Sequence, residues 1–202
     1  ENCEIVISGS DAVFHAGRPS ADTPLFGTFA TNSQVVIENG AEVTDLPVNF
    51  GFSYGSNSCT DDRIIVRTGA RLDCGNIFMS SYGGTGIGTR NEIIVCSQGV
   101  VKADQFWCNA EEGVVTVEDA TLECTNGHYW KDYGGLNIGG KSATSVQHQG
   151  RGCVLNIRGH TPKIKTTNNR ILVENESKVV FHLPADGYAA EAQPLMTTTT
   201  SR

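Results

Sequence analysis

The sequence predicts an all-β chain wound as a right-handed parallel β-helix (solenoid) of about seven rungs. Three observations carry that expectation. An aliphatic triplet recurs at a period near 29 residues, and a turn-forming residue follows each triplet at a fixed offset. No segment shows the 3.6-residue apolar period of an amphipathic helix.

The triplets are Ile5-Val6-Ile7, Val35-Val36-Ile37, Ile64-Ile65-Val66, Ile93-Ile94-Val95, Val115-Thr116-Val117, Leu155-Asn156-Ile157 and Ile171-Leu172-Val173. Their third members are separated by 30, 29, 29, 22, 40 and 16 residues. The first and third positions are aliphatic in every copy, whereas the middle one accepts Thr116 and Asn156. Alternate residues of a strand face opposite sides, so the outer two members point inward and the middle one outward. The outward column Val6, Val36, Ile65, Ile94 and Leu172 then makes an apolar stripe, expected to be covered by Gly-rich returns or to meet a second copy in a homo-oligomer.

Two residues beyond each triplet stand Gly9, Asn39, Thr68, Ser97, Asp119, Gly159 and Asn175, all tolerant of tight or left-handed backbone. Two further on come Asp11, Ala41, Ala70, Gly99, Thr121, Thr161 and Ser177, small enough for a crowded corner. A second inward face starts at Val13, Val43, Leu72, Val101 and Val179. Leu122 and Ile164 take this place in the fifth and sixth copies, which run about one residue out of step. A third apolar segment holds Phe50 and Phe52, then Ile77-Phe78-Met79, then Phe106-Trp107-Cys108. In the fifth copy it is either Tyr129-Trp130 or Leu136-Asn137-Ile138.

One such unit is too short to bury a core. Stacked units place each strand beside its counterpart in parallel and line up inward side chains in columns. Each buried aliphatic side chain contributes roughly 1.5–3 kcal/mol, which must offset the ordering entropy of its rung, so several rungs are needed. Rossmann and TIM-barrel sheets would require helices between strands. An antiparallel sandwich would supply the turns but not the matched columns. The rung pattern covers residues 1–184. Residues 185–202, which carry Pro194 and a run of four threonines, lack it and are expected to form a C-terminal cap or linker. Residues 16–31 fit an enlarged first loop, and the start at Glu1 without Met fits a processed or trimmed end.

Of the 202 residues, 39 % are hydrophobic and 18 % charged, with 23 Gly and a net charge of −7. That balance argues against nucleic acid, which needs clustered Lys and Arg. No apolar run approaches the roughly 18 residues that suggest a membrane span. The seven cysteines are odd in number, contain no C-x-x-C pair and fit no zinc spacing. They are expected to pack as small apolar side chains, with a partial disulfide set as the alternative.

The run Asn91-Glu92-Ile93-Ile94-Val95 followed by Gly99-Val100-Val101, and the segment Lys178-Val179-Val180-Phe181-His182-Leu183-Pro184, resemble repeats of autotransporter-passenger and pectin-lyase-like β-helix proteins. The resemblance spans roughly residues 1–184 and implies secretion or display at a cell surface. It does not imply one activity.

Polygalacturonase-like members of that group carry Asp-Asp, Gly-His-Gly and Arg-Ile-Lys. Here stand Asp61-Asp62, Gly159-His160 and Lys163-Ile164-Lys165, with Thr161 after the histidine and three rungs between the acids and His160. Glu111, Glu112 and Asp119 are the nearest approach to a calcium-binding cluster, and Cys124 with His128 to a nucleophile pair. None is expected to form a site, so neither metal nor cofactor is expected. The long fifth interval carries His128, Tyr129, Trp130, Asp132 and Tyr133, whose rings and polar groups suit stacking on a sugar or contact with a protein. The expected function is therefore non-catalytic: an adhesin-like segment binding a glycan or protein, or a stalk. The alternative is a carbohydrate-active lyase or glycoside hydrolase of the same fold.

Overall fold

The computed structural model describes residues 2–15, 31–44, 49–54, 58–82, 86–125, 135–139, 150–166, 170–182, 184 and 197–198. Every regular element among them is a β-strand. The first sheet has seven parallel strands, one per rung: β1 (Glu4–Ser8), β3 (Gln34–Glu38), β7 (Arg63–Val66), β10 (Glu92–Cys96), β12 (Val114–Glu118), β15 (Val154–Arg158) and β18 (Lys178–Phe181). The second sheet has ten strands and bends around the remaining sides of the coil. Its first half is β2 (Val13–His15), β4 (Glu42–Thr44), β5 (Asn49–Tyr54), β8 (Arg71–Tyr82) and β11 (Val100–Cys108). It continues with β13 (Thr121–Cys124), β14 (Leu136–Ile138), β16 (Lys163–Thr166), β17 (Arg170–Val173) and β19 (Thr197–Thr198). A short pair, β6 (Cys59–Thr60) and β9 (Gly88–Thr89), stands just before the first sheet in the third and fourth rungs. The chain is a parallel β-helix of about seven rungs.

Six of the seven triplets stack as expected. Ile5, Val35, Ile64, Ile93, Val115 and Leu155 pair in sequence along the first sheet, as do their partners two residues on. From the second rung to the sixth, their inward side chains join Val43, Leu72, Val101, Leu122, Ile77, Phe106, Leu136 and Ile138 in one continuous core, with Ile7 of the first rung packed against it. The leucine and isoleucine of the fifth interval, not Tyr129-Trp130, form its third strand, because Leu136 and Ile138 pair with Phe106 and Cys108.

The expected seventh triplet belongs elsewhere. Ile171-Leu172-Val173 pairs with Leu136-Asn137-Ile138 and is the third strand of the sixth rung. The seventh rung begins instead at Val179-Val180-Phe181, paired with Leu155-Asn156-Ile157. The interval of 16 residues was thus a step within one rung. Leu172 leaves the outward stripe with this correction. Val36 is only 4 % exposed within the single chain, Ile65 and Ile94 are half-buried, and Val6 on the end rung is open to solvent. In the first rung Phe14, not Val13, pairs with Val43. The small corner residues of rungs one, five and six are accordingly Ala12, Ala120 and Pro162 rather than Asp11, Thr121 and Thr161, since the corners there differ by one residue in length.

Two corners of the coil use left-handed backbone, each in six rungs among the described residues. After the first sheet, Gly9, Asn39, Thr68, Ser97, Asp119 and Gly159 have φ of 114°, 56°, 54°, 50°, 48° and 84°. Before it, Asn32, Asp61, Arg90, Glu112, Gly152 and Glu176 have φ of 59°, 60°, 51°, 53°, 67° and 60°. Asn175 is also left-handed, but it lies beside Glu176 in this second corner. A non-glycine residue in this region costs about 1–2 kcal/mol. Backbone bonds between successive rungs offset that cost, as from Gly40 N to Thr68 O at 3.0 Å and from Gly69 N to Ser97 O at 3.1 Å. At Gly159 the glycine is required twice over. Its φ is left-handed, and a Cβ would lie 2.5 Å from the Asp119 carboxylate.

Candidate functional site

The corner before the first sheet carries the most ordered polar chemistry among the described residues. The residue immediately before each first-sheet strand is Cys3, Ser33, Asp62, Asn91, Gly113, Cys153 or Ser177. Ser33, Asp62 and Asn91 are buried and bonded rung to rung. Cys3 N donates to Ser33 Oγ at 3.2 Å, Ser33 N to Asp62 Oδ1 at 2.8 Å, and Asp62 N to Asn91 Oδ1 at 3.1 Å. Asn91 closes the run by donating Nδ2 to Met79 O at 2.8 Å and to Cys59 Sγ at 3.0 Å. At the other end Cys153 N donates to Ser177 Oγ at 3.1 Å. Each side chain thereby satisfies a corner N–H that the strand ladder cannot reach. The signal was in the sequence. These residues stand two positions before the first member of each triplet, but an inward polar column has no periodicity of hydrophobicity to announce it.

The exposed flank of the same corner is a second ladder. Asn32 Nδ2 donates to Asn2 Oδ1 at 3.0 Å and Gln34 Nε2 to Glu4 Oε1 at 2.6 Å. Arg63 pairs with Glu92 at 3.2 Å, and Arg90 makes two bonds of 2.8 Å to Asp61. That guanidinium holds the Asp61 carboxyl below its ordinary value. Together Asn2, Cys3, Glu4, Asn32, Ser33, Gln34, Asp61 and Arg63 line a polar cleft of about 300 Å³. Amides, two carboxylates and a guanidinium spaced at rung intervals can exchange hydrogen bonds with the hydroxyls of an extended ligand.

Asp61 and Asp62 therefore do different jobs. Asp61 is exposed and ion-paired, while Asp62 is buried and accepts a backbone bond, so the two carboxyls are not one acid–base pair. His160 and Thr161 donate their backbone N–H groups to Asp119 Oδ1, three rungs away from Asp61. Partial burial raises the Asp119 carboxyl, but these bonds outweigh it and leave the group below its ordinary value. Glu112 and Asp119 occupy corners at opposite ends of β12. No three His, Cys, Asp or Glu side chains among the described residues are placed to hold one metal ion. His128, Tyr129, Trp130, Asp132 and Tyr133 lie outside the described residues.

On the third side, Phe78 and Trp107 stack with ring centroids 4.7 Å apart and planes 3° from parallel. Asn137 and Leu172 continue this column, and all four are buried. Among the described residues, Trp107 Nε1 and the Gln105 amide have no hydrogen-bond partner.

All seven cysteines carry free thiols, and five are buried as packing side chains: Cys59, Cys74, Cys108, Cys124 and Cys153. Burial pushes the Cys124 thiol up to about 12 and Cys74 well above its ordinary value. A hydrogen bond with Cys153, and then burial, does the same to Cys108. A thiol reagent should therefore label exposed Cys3 quickly and half-buried Cys96 more slowly, and reach the other five only on unfolding. Rapid labelling of Cys74 or Cys124 in the native protein, read by peptide mass, would contradict this packing.

Comparisons with protein-family models, with curated proteins and with solved structures gave no match.

Proposed function

We propose that this chain is a non-catalytic, secreted or cell-surface β-helix segment of the autotransporter-passenger or pectin-lyase-like kind, a rigid spacer that binds a glycan along its polar corner. The observation that carries this reading is the cleft of about 300 Å³, lined by amide, carboxylate and guanidinium groups from three successive rungs. Rung-to-rung pairing already holds these groups in place, as between Gln34 and Glu4 or between Asp61 and Arg90. A sugar therefore meets preorganised donors and acceptors rather than mobile side chains, which lowers the ordering cost of binding. The same pairing speaks against chemistry. The carboxylates Glu38, Asp61, Asp73, Glu92, Glu123 and Glu176 each contact an Arg or Lys, an arrangement that serves the coil. The aromatic run His128, Tyr129, Trp130, Asp132 and Tyr133 is proposed as a separate glycan contact on the fifth interval.

The test is an array of neutral and amino-sugar oligosaccharides. The chain should bind a subset of them, and a variant carrying Asn32→Ala with Gln34→Ala should lose at least about tenfold in affinity, the worth of one or two hydrogen bonds. A parallel variant with Trp130→Ala and Tyr133→Ala reads the loop contact. Undiminished binding by the corner variant would remove the cleft from the reading, and no binding by the wild-type chain would overturn it.

A further inference from the structure

Two of the buried thiols face one another inside the coil. Cys108 ends β11 on the fourth rung, and Cys153 stands immediately before β15, the first strand of the sixth. Both are fully buried in the core. Cys153 Sγ donates to Cys108 O at 3.1 Å and to Ala110 O at 3.0 Å, so it turns back toward the rung that carries Cys108. The two thiols also share a hydrogen bond. Gly113 makes room for the pair. It is the neighbour of Cys153 in the corner column, where Val154 N donates to Gly113 O at 2.9 Å. A Cβ on Gly113 would lie 3.2 Å from Cys108 Sγ and 3.1 Å from Ala110 Cβ. The other buried thiols are placed differently. Cys74 and Cys124 share one column, but Ala103 stands between them. Cys59 Sγ accepts a bond from the Asn91 amide.

We infer that Cys108 and Cys153 are an oxidisable pair that closes to a disulfide and ties the end of the fourth rung to the start of the sixth. The oxidant is a small-molecule disulfide such as oxidised glutathione. One thiol of the pair loses its proton, and the thiolate attacks a sulfur of the reagent. The S–S bond of the reagent breaks, and one half leaves as a thiolate. The second protein thiolate then attacks the protein sulfur of the mixed disulfide. The Cys108–Cys153 bond forms, and the other half of the reagent leaves. Two protein thiols are oxidised, one small disulfide is reduced to two thiols, and the two protons pass to those thiols.

Both sulfurs are closed to solvent in the stacked coil, so exchange takes place while the corner is open, during folding or a local opening. Bonding brings the sulfurs to about 2.05 Å, within the space that Gly113 leaves. The bond joins residues 45 apart and encloses β12, β13 and β14. A cross-link of that length restricts the unfolded chain and so favours the stacked one. An oxidising compartment keeps the clasp shut, and a reducing one opens it.

Refolding the full chain from urea in a buffer of reduced and oxidised glutathione tests the inference. Remaining thiols are alkylated, and the chain is cut with trypsin and a glutamate-specific protease, which separates Cys108 from Cys124 at Glu111, Glu112, Glu118 or Glu123. A peptide linking Cys108 to Cys153 should dominate the intramolecular disulfides. Its yield should exceed that from chain held in urea in the same buffer at least about tenfold. The linked chain should unfold at higher urea than the same chain reduced. Cys108→Ala should keep its strands by circular dichroism, and its urea midpoint should not respond to reductant. The peptide yield needs no variant, and it decides the outcome if the alanine chain fails to fold. Recovery of Cys108 and Cys153 as alkylated thiols from the refolded chain would overturn the inference. So would comparable linkage of either one to Cys59, Cys74 or Cys124, or a linked chain no more stable than the reduced one.

Discussion

Replacing Asn91 with alanine should destabilise the protein by about 3–5 kcal/mol, against about 5–15 kcal/mol for the whole stability of a typical domain. Asn91 is fully buried and works in two directions. Its Oδ1 accepts the Asp62 N–H from the rung before, and its Nδ2 donates to the Met79 carbonyl of the preceding coil. Alanine removes both at once and leaves a buried donor and a buried acceptor without partners, each costing about 1–3 kcal/mol. The space lost is small, so a cavity adds little. Its neighbour Arg90 supplies the contrast. Arg90 stands in the same corner and makes two good bonds to Asp61, but the pair lies in solvent and is screened. Arg90→Gln should leave the midpoint of urea unfolding within its error. The two variants sit one residue apart, so equal midpoints would show that the buried corner column does not hold the rungs together.

That column is not legible in the sequence. Hydrophobic triplets reveal a strand because apolar residues must alternate on a half-buried surface, and six of seven triplets were found on that ground. The turn column was legible for a related reason: all seven of its residues adopt positive φ, which few residue types tolerate. Ile171-Leu172-Val173 misled because strands on all three sides of a coil share one composition. Only the pairing partner distinguishes a first strand from a third, and that information is non-local. The shared buried role of Ser33, Asp62 and Asn91 is not legible, because small polar residues before a strand look like an ordinary loop. Their burial is created by the rungs above and below. The same holds for the polar cleft, whose eight lining residues come from three segments far apart in sequence.

The largest packing effect should depend on position along the coil rather than on local sequence. Ile93→Ala should cost about 2–5 kcal/mol, as for a closed core site. Ile5→Ala should cost less than about 1 kcal/mol, because nearly half of that side chain already faces water. The pair is a controlled comparison. Glu4-Ile5-Val6-Ile7 and Glu92-Ile93-Ile94-Val95 have almost the same local sequence, and occupy equivalent strands and the same columns of the first sheet. Intrinsic β-propensity therefore cancels between them. What differs is the neighbours: β10 is clasped between β7 and β12, whereas among the described residues β1 pairs with β3 alone. In a stack held by nearest-neighbour interfaces, the end rung has one interface where an inner rung has two, and it opens first. Urea unfolding of both variants reads the difference directly. Amide exchange should follow the same order, slowest in β10 and β12 and fastest in β1 and β18. Equal costs at Ile5 and Ile93 would mean that stability is set within each rung, and that stacking contributes little beyond alignment.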